Sequence, residues 1–231
     1  MVSLITEGHS TDDNGRPFPH RRALPVIALI CVLAVLGAVV WFRILTKPDK
    51  LSAPVDCNPP STSKPLDPGA PAPQPLGTPV SSSTLLEVEP APLAATKVRV
   101  FNANGERGQA VHVASQLSDY GFAAPPDVQA GNDPVYVDQN MQCQGQIRFG
   151  ANGLAAASSV WLIAPCAQLI QDGRTDDTVD LALGTFSLGE LKPNTDAEEV
   201  LASLKNTAPG SAGSGAPVDL GLLKAARTVR C

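Results

Sequence analysis

Histidine and aromatic side chains are scarce in this chain of 231 residues, which has three His, two Trp, two Tyr and six Phe. Only His112 lies outside the first 22 residues. A Ser-His-Asp or Cys-His catalytic site would therefore have to be built around it. Helical spacing places His112 on the polar face of a predicted helix, so we expect a solvated side chain and predict that the protein is not an enzyme.

Complete motifs for binding nucleotides and metals are also missing. Gly105 and Gly108 form a Gly-x-x-Gly turn before a helix, but the full dinucleotide pattern and the P-loop lysine are lacking. The cysteines do not have the C-x-x-C spacing of zinc sites. An acidic loop around Gly173 lacks the glutamate at the twelfth position of an EF-hand. Its carboxylates are Asp172, Asp176, Asp177 and Asp180. We predict no cofactor and no metal.

Positive charge is too scarce for a nucleic-acid-binding domain. Residues 97–207 contain seven Lys and Arg against thirteen Asp and Glu, a net charge of about −6. A phosphate backbone requires the opposite sign. We therefore predict no nucleic-acid partner.

Residues 23–42 form a run of 20 residues without a charge. A helix of this length spans roughly 30 Å, the thickness of the hydrocarbon core of a bilayer. A cleaved signal peptide is the alternative, but the run ends in Val39-Val40-Trp41-Phe42 rather than in a small-x-small cleavage site. We predict a single uncleaved transmembrane helix.

Four of the five cysteines, Cys57, Cys143, Cys166 and Cys231, follow this helix. An even number suits disulfide formation in an oxidising compartment. The basic residues on the two sides of the span tie in number, so the short N-terminal tail and the cysteines decide the orientation. We predict a cytoplasmic tail over residues 1–22 and a domain outside the cytoplasmic membrane.

Four cysteines allow three pairings, and unpaired thiols are the remaining alternative. Cys143 and Cys166 are separated by a predicted strand and helix that can fold back on each other. A bond between them would close a loop of about 24 residues and stabilise the fold by roughly 3 kcal/mol. We predict the pairs Cys143–Cys166 and Cys57–Cys231.

Composition divides the rest of the chain into a linker, a domain and a tail. Residues 48–92 contain 12 Pro, so we predict a semi-rigid Pro-rich linker over 43–96. Residues 97–207 predict a small α/β domain, with strands at 97–101, 145–150 and 179–184 and helices between them. Thr195 and Glu198 form a capping box for the last helix. Residues 208–231 predict a flexible link and a short helix ending in Cys231.

The first strand, turn and helix of this domain resemble the LytR C-terminal domain family. The similarity lies in Val98–Val100, in the turn residues Asn102, Gly105 and Gly108, and in a helix ending at Gly121-Phe122. Weaker similarity continues through 147–150, 155–157 and 181–184. The resemblance implies a sandwich-like α/β domain, which we expect to be stapled by disulfides. The turn precedes a helix, and helix N-termini attract anions, so a structural turn and an anion site are both open. The candidate binding residues are Asn102, Asn104, Gly105 and Gly108.

The whole arrangement resembles actinobacterial proteins that maintain envelope integrity. In many relatives the domain is attached to a LytR-CpsA-Psr phosphotransferase, but the stretch before Lys97 is too short and too Pro-rich to be that enzyme. The resemblance implies a binding or scaffolding module whose partners are envelope proteins or cell-wall polymer. The alternatives are a passive mechanical tether and a cell-wall remodelling enzyme that uses Asp176 and Asp180.

Overall fold

The structure is a computed structural model that describes residues 24–45, 56–61, 72–207, 218–228 and 231. It divides into two units, Met1–Lys50 and Leu51–Cys231. In the first unit, helix α1 (Leu24–Leu45) contains Pro25–Phe42, a window with mean hydropathy 2.7 and no buried side chains. This helix is long and apolar enough to cross a membrane. The predicted tail, residues 1–22, lies outside the described residues.

The second unit is built on a six-stranded mixed sheet with helices. The strands, in chain order, are β1 (Thr78–Pro79), β2 (Val98–Asn102), β3 (Ala130–Asn132), β4 (Gly145–Phe149), β5 (Gln168–Gln171) and β6 (Val179–Leu183). The helices are α2 (Ser83–Leu86), α3 (Gln109–Tyr120), α4 (Leu154–Ile163), α5 (Thr195–Lys205) and α6 (Leu220–Ala226). The strands lie in the order β1-β5-β4-β6-β2-β3.

Strand directions decide which loops meet. β2 is parallel to both β3 and β6, whereas β4 is antiparallel to β6 and parallel to β5. The carboxyl ends of β2 and β6 therefore lie at the same edge of the sheet, together with the amino end of β4. The loops that follow β2 and β6 and the loop that precedes β4 converge there.

The two faces of the sheet carry different clusters, because successive strand residues point to opposite sides. On one face Val100, Ile147 and Leu181 are fully or almost fully buried in a large apolar cluster that includes residues of α3, α4 and α5. On the other face Phe101 and Ala182 belong to a smaller cluster with residues of the loop before β4, among them Tyr136, Met141 and Cys143.

Helix ends follow local rules, with one correction. α3 ends at Gly121, whose φ of 107° lies in the left-handed region that glycine adopts at low cost. The predicted capping box at Thr195 is wrong by one residue. Asn194 is the N-cap of α5, and its side-chain oxygen accepts the Ala197 amide at 2.7 Å.

The structure differs from the predicted Pro-rich linker over 43–96. Thr78 and Pro79 pair with β5 at the edge of the sheet, and Leu85 and Leu93 are fully buried in the large cluster. Proline is compatible with an edge strand, which needs fewer ladder donors, so a Pro-rich composition did not prevent packing here. The second half of the predicted linker therefore belongs to the domain.

The disulfides also differ from the predicted pairs. The bonds are Cys57–Cys143 and Cys166–Cys231. Cys143 lies in the smaller cluster and Cys57 packs against it. Cys166 follows α4, and Cys231 follows α6, whose Leu223 and Ala226 are buried in the large cluster with α4. Each bond therefore joins two segments that pack on the same cluster, and loop length does not decide the pairing.

The C-terminal segment is fixed to the domain by Arg227, which follows α6 and is 7% exposed. Its guanidinium donates hydrogen bonds to the carbonyl oxygens of Leu86 and Val88, at 2.6 and 3.1 Å, and to the Ser158 hydroxyl. It also lies 5.2 Å from the centre of the Trp161 ring. This side chain joins the end of the chain to the segment that precedes β2.

Candidate functional site

A cleft of about 650 Å³ opens where the carboxyl ends of β2 and β6 meet. One wall is the turn after β2 with the first turn of α3, and the other is the loop over residues 184–190. Binding sites of α/β proteins commonly lie at this edge of a sheet. The cleft is lined by Asn104, Glu106, Arg107, Gly108, Gln109, His112, Thr185, Ser187, Leu188, Gly189 and Glu190.

The turn after β2 is shaped by Asn102. Its side-chain oxygen accepts the Ala110 amide at 3.1 Å, and its amide group donates to the Glu106 carbonyl. Gly105 and Gly108 have φ of 79° and 80°, where a side chain would be strained. Asn102 is 6% exposed and does not line the cleft, so it acts through the shape of the turn.

Asn104 joins the two walls of the cleft. Its amide group donates to the Gln109 side-chain oxygen at 2.6 Å and to the Gly184 carbonyl at 2.9 Å. Its oxygen accepts the Glu106 amide at 3.0 Å. Of the four predicted binding residues, the structure thus places Asn104 and Gly108 on the cleft wall and Asn102 and Gly105 in the turn that supports it.

The second wall was missed by sequence reasoning. Gln109 donates to the Ser187 carbonyl at 3.3 Å, and Gln116 donates to the Gly189 carbonyl at 3.0 Å. The Gln116 oxygen also accepts the Leu191 amide at 2.8 Å. The sequence signal for this wall was the pair Gln109 and Gln116, which are seven residues apart and therefore lie on the same side of α3.

Charged groups of both signs surround the cleft. Glu106, Arg107 and His112 are exposed, and Glu190 pairs with Lys192. The hydrogen bond from Lys192 lowers the pKa of Glu190, and the charges of Lys192 and His112 lower it further. The exposed His112 agrees with its predicted place on the polar helix face. The arrangement suits hydrogen bonding and mixed charge pairing with a ligand.

The acidic loop is an ion-pair cluster. Arg174 donates to Asp172 and Asp180, each at 2.6 Å, and Asp180 also accepts from Arg99 at 2.6 Å. Burial by itself would raise the pKa of Asp172, but hydrogen bonds from Arg174 outweigh it and lower the pKa. Thr178 lowers the pKa of Asp176 by hydrogen bonding. Among the described residues no group of three or more His, Cys, Asp or Glu could hold a metal ion.

A second ion pair is buried on the sheet face opposite the helices. Arg148 and Asp133, with side chains 3% and 0% exposed, pair at 2.8 Å. Arg148 also donates to the Gln146 oxygen at 2.9 Å, and Gln146 donates to the Tyr136 hydroxyl at 3.3 Å. Burial raises the pKa of Tyr136. This network supports the loop before β4 and is closed to solvent.

Comparison with known proteins fits this architecture. Residues 95–186 match the family LytR_C, described as LytR cell envelope-related transcriptional attenuator. The turn after β2 lies inside this region, and the second cleft wall lies inside it only over residues 184–186. The soluble domain of a conserved hypothetical secreted protein from Mycobacterium marinum is 47% identical, with a TM-score of 0.60, over 68% of this chain and 100% of that chain.

A full-length relative extends the similarity to the helix α1 and the C-terminal segment. The cell envelope integrity protein Cei of Mycobacterium tuberculosis is 44% identical over 225 residues, which cover 97% of this chain and 99% of that protein. Identity at this level over nearly the whole length establishes common descent and a common fold. The chain therefore belongs to the Cei family of LytR_C-domain proteins.

Proposed function

We propose that this protein is a membrane-anchored, non-enzymatic envelope protein that holds an envelope component in the cleft between the turn after β2 and the loop 184–190. The observation that carries the proposal is the cleft itself. Asn104, Gln109 and Gln116 fix its two walls to each other, so its shape is set before any partner arrives. Preorganised polar walls favour binding because little is ordered on association.

The proposed location has two supports. α1 is apolar over a length that crosses a bilayer. The two disulfides in the second unit suit an oxidising compartment. We infer that α1 anchors the chain in the cytoplasmic membrane and that the domain lies outside it, which agrees with the names of the relatives.

The chemistry of the described side chains supports binding over catalysis. Asp180, which the enzyme alternative requires, has a side chain 4% exposed and is neutralised by Arg99 and Arg174. Paired carboxylates of a glycoside hydrolase need access to the substrate. The four sulfurs that follow α1 are held in disulfides, so none of them is a nucleophile.

The partner we propose is an envelope protein or a neutral segment of cell-wall polymer. The domain is acidic, with a net charge of about −6 over residues 97–207, so bulk electrostatics oppose a polyanion. Within the cleft the charges of both signs and the amide groups favour a ligand that is held by hydrogen bonds.

Filling the cleft tests the proposal. His112→Trp places a large side chain in the cleft from an exposed position on α3. The matched control is Asp119→Trp, an exposed position on the same helix that does not line the cleft. Each variant is expressed at the native level in a strain that lacks the endogenous gene, and entry of a membrane-impermeant dye is measured.

We expect Asp119→Trp to restore the barrier and His112→Trp to leave it leaky, with both proteins melting within a few degrees of the parent. In-cell cross-linking followed by mass spectrometry should recover an envelope component with the parent and lose it with His112→Trp. Full rescue by His112→Trp would contradict the cleft as the working site and would favour the passive tether.

A further inference from the structure

The loop 184–190 presents two bare apolar side chains to solvent. Phe186 is 52% exposed, and Leu188, which also lines the cleft, is 87% exposed. Their backbone is fixed, because Thr185 donates to the Met141 carbonyl at 2.9 Å and Gln116 donates to the Gly189 carbonyl at 3.0 Å. A fixed loop cannot withdraw these side chains from water, so another surface is expected to cover them.

The apolar pair lies near the start of the described part of the domain. The Phe186 amide donates to the Cys143 carbonyl at 3.0 Å, and Cys143 is bonded to Cys57. Cys57 lies at the beginning of the described part of the domain, on the side of the sequence that leads to α1. The exposed pair therefore lies beside the point where the chain from the membrane enters the domain.

The chain between the anchor and this point is short. Residues 46–55 separate Leu45, at the end of α1, from Asp56. A chain of that length spans at most about 40 Å even when fully extended. The predicted linker up to residue 96 would have allowed more than three times this distance. A short connection gives the attached group a high effective concentration at the bilayer surface.

Local charge permits this approach although the domain is acidic. Around the loop, Glu106 and Glu190 are balanced by Arg107 and Lys192. An aromatic and an aliphatic side chain on a charge-balanced loop match the composition of segments that insert into the interfacial region of a bilayer.

We propose that the loop 184–190 is a second membrane contact, in which Phe186 and Leu188 insert into the interface of the bilayer that holds α1. This inference rests on the proposed membrane anchoring. Because Leu188 also lines the cleft, insertion of this loop would bring one wall of the cleft to the lipid surface. The domain then works against the membrane face, where a ligand that is itself part of the membrane or emerges from it is met first.

The test uses the full chain in vesicles of phosphatidylethanolamine and phosphatidylglycerol, without other proteins. Trp41→Phe removes the tryptophan of α1, and Trp161, 5% exposed, remains as a common background. Leu188→Trp is compared with Val111→Trp, which replaces an apolar residue 64% exposed on α3. Lipids brominated near the headgroup end of the acyl chains quench tryptophans that enter the interface.

We expect the added tryptophan at 188 to shift to the blue and to lose most of its emission with brominated lipid, and the one at 111 to keep its emission. Flotation with the vesicles measures anchoring separately. A protein that floats but shows no quenching at 188 overturns the loop contact and leaves the anchoring intact. A tryptophan at 188 that shifts only after an envelope protein extract is added identifies a protein contact and also overturns the proposal.

Discussion

Replacing Arg227 should loosen the beginning and the end of the domain together. Its guanidinium holds the carbonyl groups of Leu86 and Val88, the hydroxyl of Ser158 and the face of Trp161. Burial lowers the pKa of Arg227 to about 10, so the side chain remains charged at neutral pH. In Arg227→Ala the Leu86 carbonyl loses this donor, whereas the Val88 carbonyl keeps a hydrogen bond from the Ser158 hydroxyl at 2.8 Å.

The expected loss follows from these contacts. A hydrogen bond from a charged donor contributes about 1.5–3 kcal/mol, and three are lost together with the ring contact. Part of this lost free energy is recovered, because the variant no longer has to desolvate a buried cation on folding. We expect Arg227→Ala to lower the free energy of unfolding by about 3–5 kcal/mol, and Arg227→Lys by roughly half, since an ammonium cannot reach both carbonyls as a planar fork does.

Thermal unfolding of the full chain in detergent micelles measures this, with Trp161 fluorescence as the signal and without reductant. At about 2–4 °C per kcal/mol for a domain of this size, Arg227→Ala should melt some 6–20 °C lower than the parent. Arg107→Ala, an exposed arginine in the cleft, is the matched control and should change little. A melting temperature for Arg227→Ala within 1 °C of the parent would refute the reasoning.

Three further predictions concern the rest of the domain. Peptide mapping without reductant should recover Cys57–Cys143 and Cys166–Cys231, and recovery of the pairs expected from sequence would contradict the structure. Replacing Cys57 and Cys143 by serine should lower the free energy of unfolding by about 2–5 kcal/mol, because this bond closes a long loop. In urea unfolding, Gly77→Ala should destabilise the domain and Gly173→Ala should not. A Cβ at position 77 would lie 2.2 Å from the Gln171 carbonyl oxygen, whereas nothing lies within 4 Å of a Cβ at position 173. Equal stability of the two variants would mean that the segment around Gly77 does not pack on the sheet. The pKa of Asp172 is lowered, so its pairing with Arg174 stabilises the fold above about pH 4, and this contribution is lost as the pH falls below that value. Asp172→Asn should therefore make the free energy of unfolding fall less steeply in acid. An unchanged pH dependence of the unfolding free energy would count against this ion pair.

Much of the fold was predictable because the spacing of apolar residues over short stretches indicates strands and helices. The alternation around Val98 and around Leu181 marks strands with one face in the large cluster, and both were found. α3 follows from apolar residues at helical spacing, and Gly121 marks its end. These patterns depend on which residues share a face, and a face is a local property of the chain.

The remaining features depend on contacts between distant parts of the chain. Leu85 and Leu93 lie in a stretch interrupted by prolines, and only the cluster that they join shows that they belong to a core. The cysteine pairs follow from which cluster each cysteine joins. In the candidate site, the turn was found through its Asn and Gly residues. The opposite wall was missed because its loop is held by side chains of α3, far away in sequence.

The order of the cysteine pairs has a consequence for biogenesis. Along the chain, the first cysteine after α1 bonds to the second, and the third bonds to the fourth. If the domain is exported as proposed, the segment that follows α1 crosses the membrane first, and each bond can form once its later cysteine has emerged. We therefore expect both native bonds of an exported domain to form without reshuffling by an isomerase.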